Sequence, residues 1–201
     1  MVTTSSVVAL LAVSVQLVVL AVLHVLPTGY NPVRDAISDY GVGRYRLYFA
    51  VQVWAGALAC AAIAVAFTRL HPYVPTFVVT ALLVNAAARV LMPLFPTDQS
   101  GSRFKTVKGT IHMILAIVAF AGVAAAASSL SGLLTHYRDW HGIRTLVQAL
   151  GWVVLVGAIA TAVALIGPRL KKIFGLVERI FTFSVIIWLY VISIELIRFA
   201  K

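Results

Sequence analysis

Between residues 29 and 41 the chain reads GYNPVRDAISDYG, and four of its side chains, Arg34, Asp35, Ser38 and Asp39, are of kinds that bind anions, move protons or attack carbonyls. Farther along stand Arg89, Asp98, His112, Glu178 and Arg179. Several chemistries fit this set. Arginine's planar fork matches phosphate and carboxylate, so Arg34, Arg89 and Arg179 could hold an anionic group while the carboxylates hold the arginines. Ser38, Asp39, Asp98 and His112 are the candidate catalytic groups, a nucleophile with acid–base partners, for a hydrolase or transferase. The bland alternative is structural: the same charges pair with one another and hold the protein together. No metal site or other cofactor is expected. The chain has neither an H-x-x-x-H pair nor a G-x-S-x-G elbow, and a divalent ion wants surplus negative charge where the balance here is positive.

These groups stand in a chain that is mostly hydrocarbon. Of 201 residues, 62% are hydrophobic and 11% charged, against roughly 25% charged in an ordinary soluble domain. That much apolar surface requires a bilayer as solvent. The net charge of +10 then reads as attraction to anionic lipid, and without basic clusters interleaved with aromatics it does not indicate nucleic acid. Cys60 is the only cysteine, which excludes an internal disulfide. The first apolar run lacks a basic leader and a small-residue cleavage site, so it reads as a retained helix and not a signal peptide.

A bilayer-crossing helix needs about 20 apolar residues, and six runs qualify: 5–26, 46–68, 73–95, 106–131, 143–167 and 176–199. Proline and glycine punctuate them, as at Pro27 and Gly29, Pro93 and Pro96, and Gly167-Pro168. The expected fold is therefore an all-α membrane protein, one polytopic domain over residues 1–201 with six transmembrane helices in a single bundle. Gly56, Cys60 and Ala64 recur every fourth residue, as do Gly122 and Ala126, which predicts seams where helix backbones approach closely. Gln16, Gln52 and Asn85 fall inside spans and fit interhelical hydrogen bonds or the polar path of a small transporter.

Six spans place the first, third and fifth connections on one face, and the nine candidate residues all lie at or near it. This face also carries the larger share of Lys and Arg, including Lys105, Lys108, Lys171 and Lys172, which argues for a cytoplasmic position with extracytoplasmic termini. Within the first connection, Asn31-Pro32 predicts a helix start and Gly41 a stop, with Arg34, Asp35, Ser38 and Asp39 on one side and Val33, Ala36, Ile37 and Tyr40 on the other. A short amphipathic helix lying at the membrane interface follows. On the opposite face His136, Arg138, Asp139 and His141 read as a solvated turn, and Glu195 with Arg198 as a local ion pair.

GYNPVRDAISDYG after the first span, FPTD after the third, a histidine just inside the fourth and GLVER opening the last resemble the bacterial and archaeal membrane family known as domain of unknown function 998. The resemblance covers nearly the whole chain. It implies a six-helix multi-pass protein of the cell membrane and brings no activity with it. The residues themselves favour recognition of an anionic lipid headgroup or amphiphile by Arg34, Asp35, Ser38, Asp39, Arg89, Asp98, His112, Glu178 and Arg179, with anionic membrane lipids as partners and no nucleic acid. A structural or accessory protein, an intramembrane hydrolase or transferase, and a small transporter remain the alternatives.

Overall fold

The apolar runs become helices because hydrocarbon offers backbone N–H and C=O groups no partners, so each segment must satisfy its own. The computed structural model describes residues 2–69, 74–98, 105–133 and 142–199. It contains α1 (Val2–Val25), α2 (Arg46–Phe67), α3 (Thr76–Leu91), α4 (Val107–Leu133), α5 (Arg144–Ile166) and α6 (Phe174–Phe199). All six are long and apolar enough to cross a membrane, the third extended by a 3-10 turn at Met92–Leu94 and the sixth preceded by one at Leu170–Ile173. Their ends fall within about one turn of the predicted spans. His136, Arg138, Asp139 and His141 lie outside the described residues.

Each helix packs on its chain neighbours, and α6 returns to α1, so the helices close a ring in chain order. Across this ring α2 meets α6. Those two are the most enclosed helices, whereas α5 presents Trp152, Val153 and Val156 outward. The core lies along α1, α2 and α6, where Leu20, Leu23, Ile63, Phe67, Trp188 and Ile192 are fully enclosed. The least enclosed helices are α4 and α5, and space beside them becomes the cavity described below.

The small residues serve two purposes. At Gly122 an added Cβ would stand 2.9 Å from the backbone carbonyl of Ala81, so this glycine does form the predicted close seam between α3 and α4. Gly56 does something else. An added Cβ there would collide with Nη1 of Arg89, so the missing side chain makes a notch for a guanidinium and not a seam for a helix.

The first connection departs from the predicted amphipathic helix. Residues 32–34 form a turn, Ala36 is extended at φ −66° and ψ 154°, and a 3-10 helix runs from Ile37 to Gly41. The reason lies in the side chains expected to start and decorate the helix. Asn31 Oδ1 accepts from the N–H groups of Val33 (2.9 Å) and Arg34 (3.3 Å), Asp35 accepts from Asn31 N–H (2.8 Å), and Asp39 accepts from Ala36 N–H (3.0 Å). These local bonds compete with the helical ladder and win. Nor does the segment lie flat on the membrane: Asp35, Ile37, Asp39 and Tyr40 are buried. Gly41 is not a left-handed stop either. Its bare Cα admits the ring of Phe49, which would stand 2.7 Å from an added Cβ.

The connection is seated on the start of α6. Leu176 N–H donates to the Val33 carbonyl at 2.9 Å, and a Cβ at Gly175 would run into the Asp35 carbonyl and stand 2.9 Å from that of Pro32. Gly175→Ala is therefore expected to lower the unfolding midpoint in detergent by the equivalent of about 1–3 kcal/mol, the usual cost of overpacking. Gly142→Ala, at a position with open space around it, should leave the midpoint unchanged.

Candidate functional site

The polar face is organised by Arg179, one turn into α6 and 5% exposed. Its Nη1 donates to the carbonyls of Asp35 (2.7 Å) and Gly175 (2.9 Å), its Nη2 to Tyr40 Oη (3.2 Å) and its Nε to His24 Nε2 (2.8 Å). His24 Nδ1 lies 2.7 Å from the Leu20 carbonyl, which can only accept, so Nδ1 carries the proton and Nε2 is free to take Arg179's hydrogen. The guanidinium also stands over the Tyr40 ring, 5.7 Å from its centroid. The sequence suggests a carboxylate partner for Arg179; the structure instead spreads the charge over neutral acceptors. One side chain thereby ties α1, the first connection and α6 together.

Glu178 sits beside it. Its carboxylate accepts from Ile37 N–H at 2.7 Å, capping the 3-10 helix from outside. Arg34 is exposed and pairs with buried Asp35 at 2.8 Å. That hydrogen bond, first among several influences, holds the Asp35 carboxyl below its ordinary range. Asp98 is engaged at the start of α4, where it accepts from Thr106 N–H (3.1 Å) and Thr106 Oγ1 (2.7 Å) while Thr106 Oγ1 accepts from Gly109 N–H (3.0 Å). Thr106 is thus the N-cap and Asp98 its brace. The same bonds depress the Asp98 carboxyl. At the far end of α6, Arg198 and Glu195 form the predicted pair at 2.6 Å.

Arg89 follows neither course expected of a charge at its depth. It lies five residues before Leu94, roughly 8 Å below the end of that turn. Its head does not snorkel to the face, because side chains tilt toward the N-terminus of their helix and α3 ends at this face. The tilt carries the guanidinium deeper, into the Gly56 notch beside Gln16. Gly56 is ten residues into α2, about 15 Å down and close to the middle of a bilayer about 30 Å thick. Nη1 of Arg89, both polar atoms of Gln16 and Oε1 of Gln52 are buried there with no hydrogen-bond partner among the described residues.

A cavity of about 1510 Å³ opens from this polar face along α4 and α5. Arg34, Ser38, Asp39, Thr97, Asp98, Lys105, Lys171 and Lys172 frame its mouth, and Gln52, Arg89, His112 and Glu178 stand within. Below them the wall is Ala116, Ile117, Phe120, Ala121, Ala124 and Ala125 of α4 against Leu155, Ala158, Ile159 and Ala162 of α5. It reaches Ser128, sixteen residues past His112, or about 24 Å along α4. On α4 and α5 the hydroxyls are spent on their own helices, Ser128 on the Ala124 carbonyl and Thr161 on that of Gly157, each at 2.8 Å. The face these two helices give the lane is therefore apolar to a guest, and Thr182 of α6 is the further hydroxyl in the lining.

His112 marks the junction of the two zones. Its Nδ1 lies 2.7 Å from the Phe95 carbonyl and its ring stacks on Phe49 with centroids 6.4 Å apart. Of the nine residues singled out in the sequence, seven line the cavity. Asp35 and Arg179 stand behind the wall, as struts. Lys108 does not line the cavity and is exposed. Lys171 and Lys172 at the mouth were legible only as an orientation signal, and Gln52 only as a mid-span polar residue. The alanines of α4 and α5 read as packing material, whereas part of what they do is leave room. Among the described residues no three His, Cys, Asp or Glu side chains gather as metal ligands would.

A family model described as a protein of unknown function, DUF998, matches residues 10–195. The chain belongs to the DUF998 family. No curated protein and no solved structure is detectably similar to it. The match runs from within α1 to within α6, so the DUF998 assignment takes in the first connection and the residues that line the cavity.

Two consequences of this DUF998 site can be measured. Arg89 carries its charge into the bundle with Nη1 buried and unpartnered among the described residues, and removing an uncompensated charge relieves its desolvation cost. Arg89→Met should leave the unfolding midpoint unchanged or raised, and a clear fall would mean that the guanidinium is compensated where it sits. The second concerns pH. The Asp35 and Asp98 carboxyls are depressed in the folded state, so they contribute stability that is fully present above the ordinary Asp value of about 3.9 and lost as pH falls through the folded values. Midpoints measured from pH 7 downward should decline in that acid window, and the decline should be shallower in Asp35→Asn.

Proposed function

We propose that this protein binds an anionic amphiphile, with the headgroup at the basic mouth and the hydrocarbon chain in the lane between α4 and α5. One observation carries the reading: a single cavity passes from a charged mouth to an apolar lane of about 24 Å, the polarity profile of a lipid on the length scale of a bilayer. At the mouth Lys105, Lys171 and Lys172 are exposed and basic, which suits phosphate or carboxylate. The carboxylates of Asp98 and Glu178 shape the backbone around the mouth, by capping α4 and by holding Ile37. The chain is an integral multi-pass membrane protein, and we place the mouth at the cytoplasmic leaflet of the cell membrane, with the termini outside, on the bias of Lys and Arg toward that face.

Native mass spectrometry after release from mild detergent tests the reading. A retained lipid-sized mass is expected. It should be lost in Ala158→Trp, which fills the lane, and weakened severalfold in a Lys171→Ala, Lys172→Ala double variant that leaves the lane open. A bare chain mass in every detergent and in lipid nanodiscs would overturn the reading. Orientation is checked separately: a C-terminal epitope tag should be labelled by antibody on intact spheroplasts without permeabilisation.

A further inference from the structure

The cavity carries a third layer between its cations and its hydrocarbon lane, and that layer accepts hydrogen bonds. His112 is 3% exposed, lines the cavity, and has no hydrogen-bond partner on Nε2 among the described residues. Its Nδ1 faces the Phe95 carbonyl at 2.7 Å, an acceptor, so Nδ1 holds the hydrogen and the neutral ring presents Nε2 as a bare lone pair. Glu178 also lines the cavity at this level, with its carboxyl already accepting from Ile37 N–H. Both lie near the starts of their helices, His112 five residues into α4 and Glu178 four into α6, so both stand roughly 6–8 Å below the face. On the side of α4 and α5 the order from the surface inward is cation, acceptor, hydrocarbon, while Arg89 and Gln52 line the opposite side, on α3 and α2.

A guest that matches this order has an anion, then a hydrogen-bond donor, then a chain. We propose, resting on the amphiphile reading above, that the cavity selects an anionic amphiphile whose polar–apolar junction carries a free O–H or N–H, and discriminates against diacyl phospholipids. The junction of a diacyl phospholipid is a pair of ester groups, which only accept. Placed at His112 it would leave the buried Nε2 lone pair unmet and set carbonyl oxygens against it, and an unmet buried polar group is a real loss. A hydroxyl, as in a monoacyl glycerol phosphate, or an amide N–H, as in an N-acyl ethanolamine phosphate, would donate to it. The two share one chemistry and differ in source.

The test uses four probes of equal chain length and a common phosphate head, added to the delipidated full chain and read by competitive native mass spectrometry. They are monoacyl glycerol phosphate, N-acyl ethanolamine phosphate, a plain alkyl phosphate, and diacyl glycerol phosphate. At least one of the first two should be retained about tenfold over the last two, the scale expected for one buried hydrogen bond made or left unmade. Whichever of the two is held more tightly identifies the source of the donor. In His112→Asn, whose amide can still donate to Phe95 while its own oxygen stops short of the Nε2 position, the preference should vanish. Retention of the alkyl or diacyl phosphate equal to or above both donors overturns this inference and leaves the amphiphile reading standing, and a preference that persists in folded His112→Asn overturns the role of His112. Retention of none of the four overturns both. Should His112→Asn fail to fold, the comparison of the four probes on the unaltered chain decides alone.

Discussion

Hydrocarbon offers a guanidinium nothing, and Arg179 at the head of the last helix has to be met by protein. The first connection folds inward to do so, lending the Asp35 carbonyl and the Tyr40 hydroxyl, while α1 contributes His24. From that requirement much of the polar face follows. Asp35 must be near to present its carbonyl, Gly175 must lack a side chain to let it approach, and Arg34 comes with Asp35 as its ion-pair partner. The 3-10 helix that follows is then close enough for Glu178 to take Ile37 N–H. A chain of neutral acceptors around one charge is a sound arrangement in a low-dielectric setting, because it stabilises the cation without stranding a second charge.

Arg89 shows the opposite arrangement. It too is a guanidinium inside the bundle, yet the direction of its helix sends its head down and not out, into a space cut by the absence of a side chain at Gly56. Its surroundings are carboxamides, several of whose polar atoms lack partners among the described residues. A stability-driven design would not keep such a group. It stands in the wall of the cavity, below the cations of the mouth.

The cavity itself is a consequence of uneven packing around the ring. Large side chains fill the side of α1, α2 and α6, and alanines of α4 and α5 line the cavity. In water such a void would collapse or fill, since apolar surface is driven together; in a membrane that drive is absent, and lipid-like molecules are the solvent at hand. An apolar lane beside a charged mouth is therefore stable as an open feature, which is the physical basis for reading it as a binding site.

Much of this was legible in the sequence. Composition required a bilayer, hydropathy and punctuation located six helices, and their even alternation placed the nine polar residues on one face. Glu195 and Arg198 paired as their spacing implies. The sequence alone could not say which of those nine face a guest and which face their neighbours: Asp35 and Arg179 became struts, and Asp98 a brace for the α4 cap, because hydrogen-bond partners are set by which helices touch. It also misread the first connection, where a helical period in polar and apolar residues lost to side-chain bonds from Asn31, Asp35 and Asp39. The inward reach of Arg89 needed the sense of α3 and the notch of α2 at once. The lane needed the ring, since an alanine in a sequence is equally a close contact or an empty space, and only the distance to the facing helix decides.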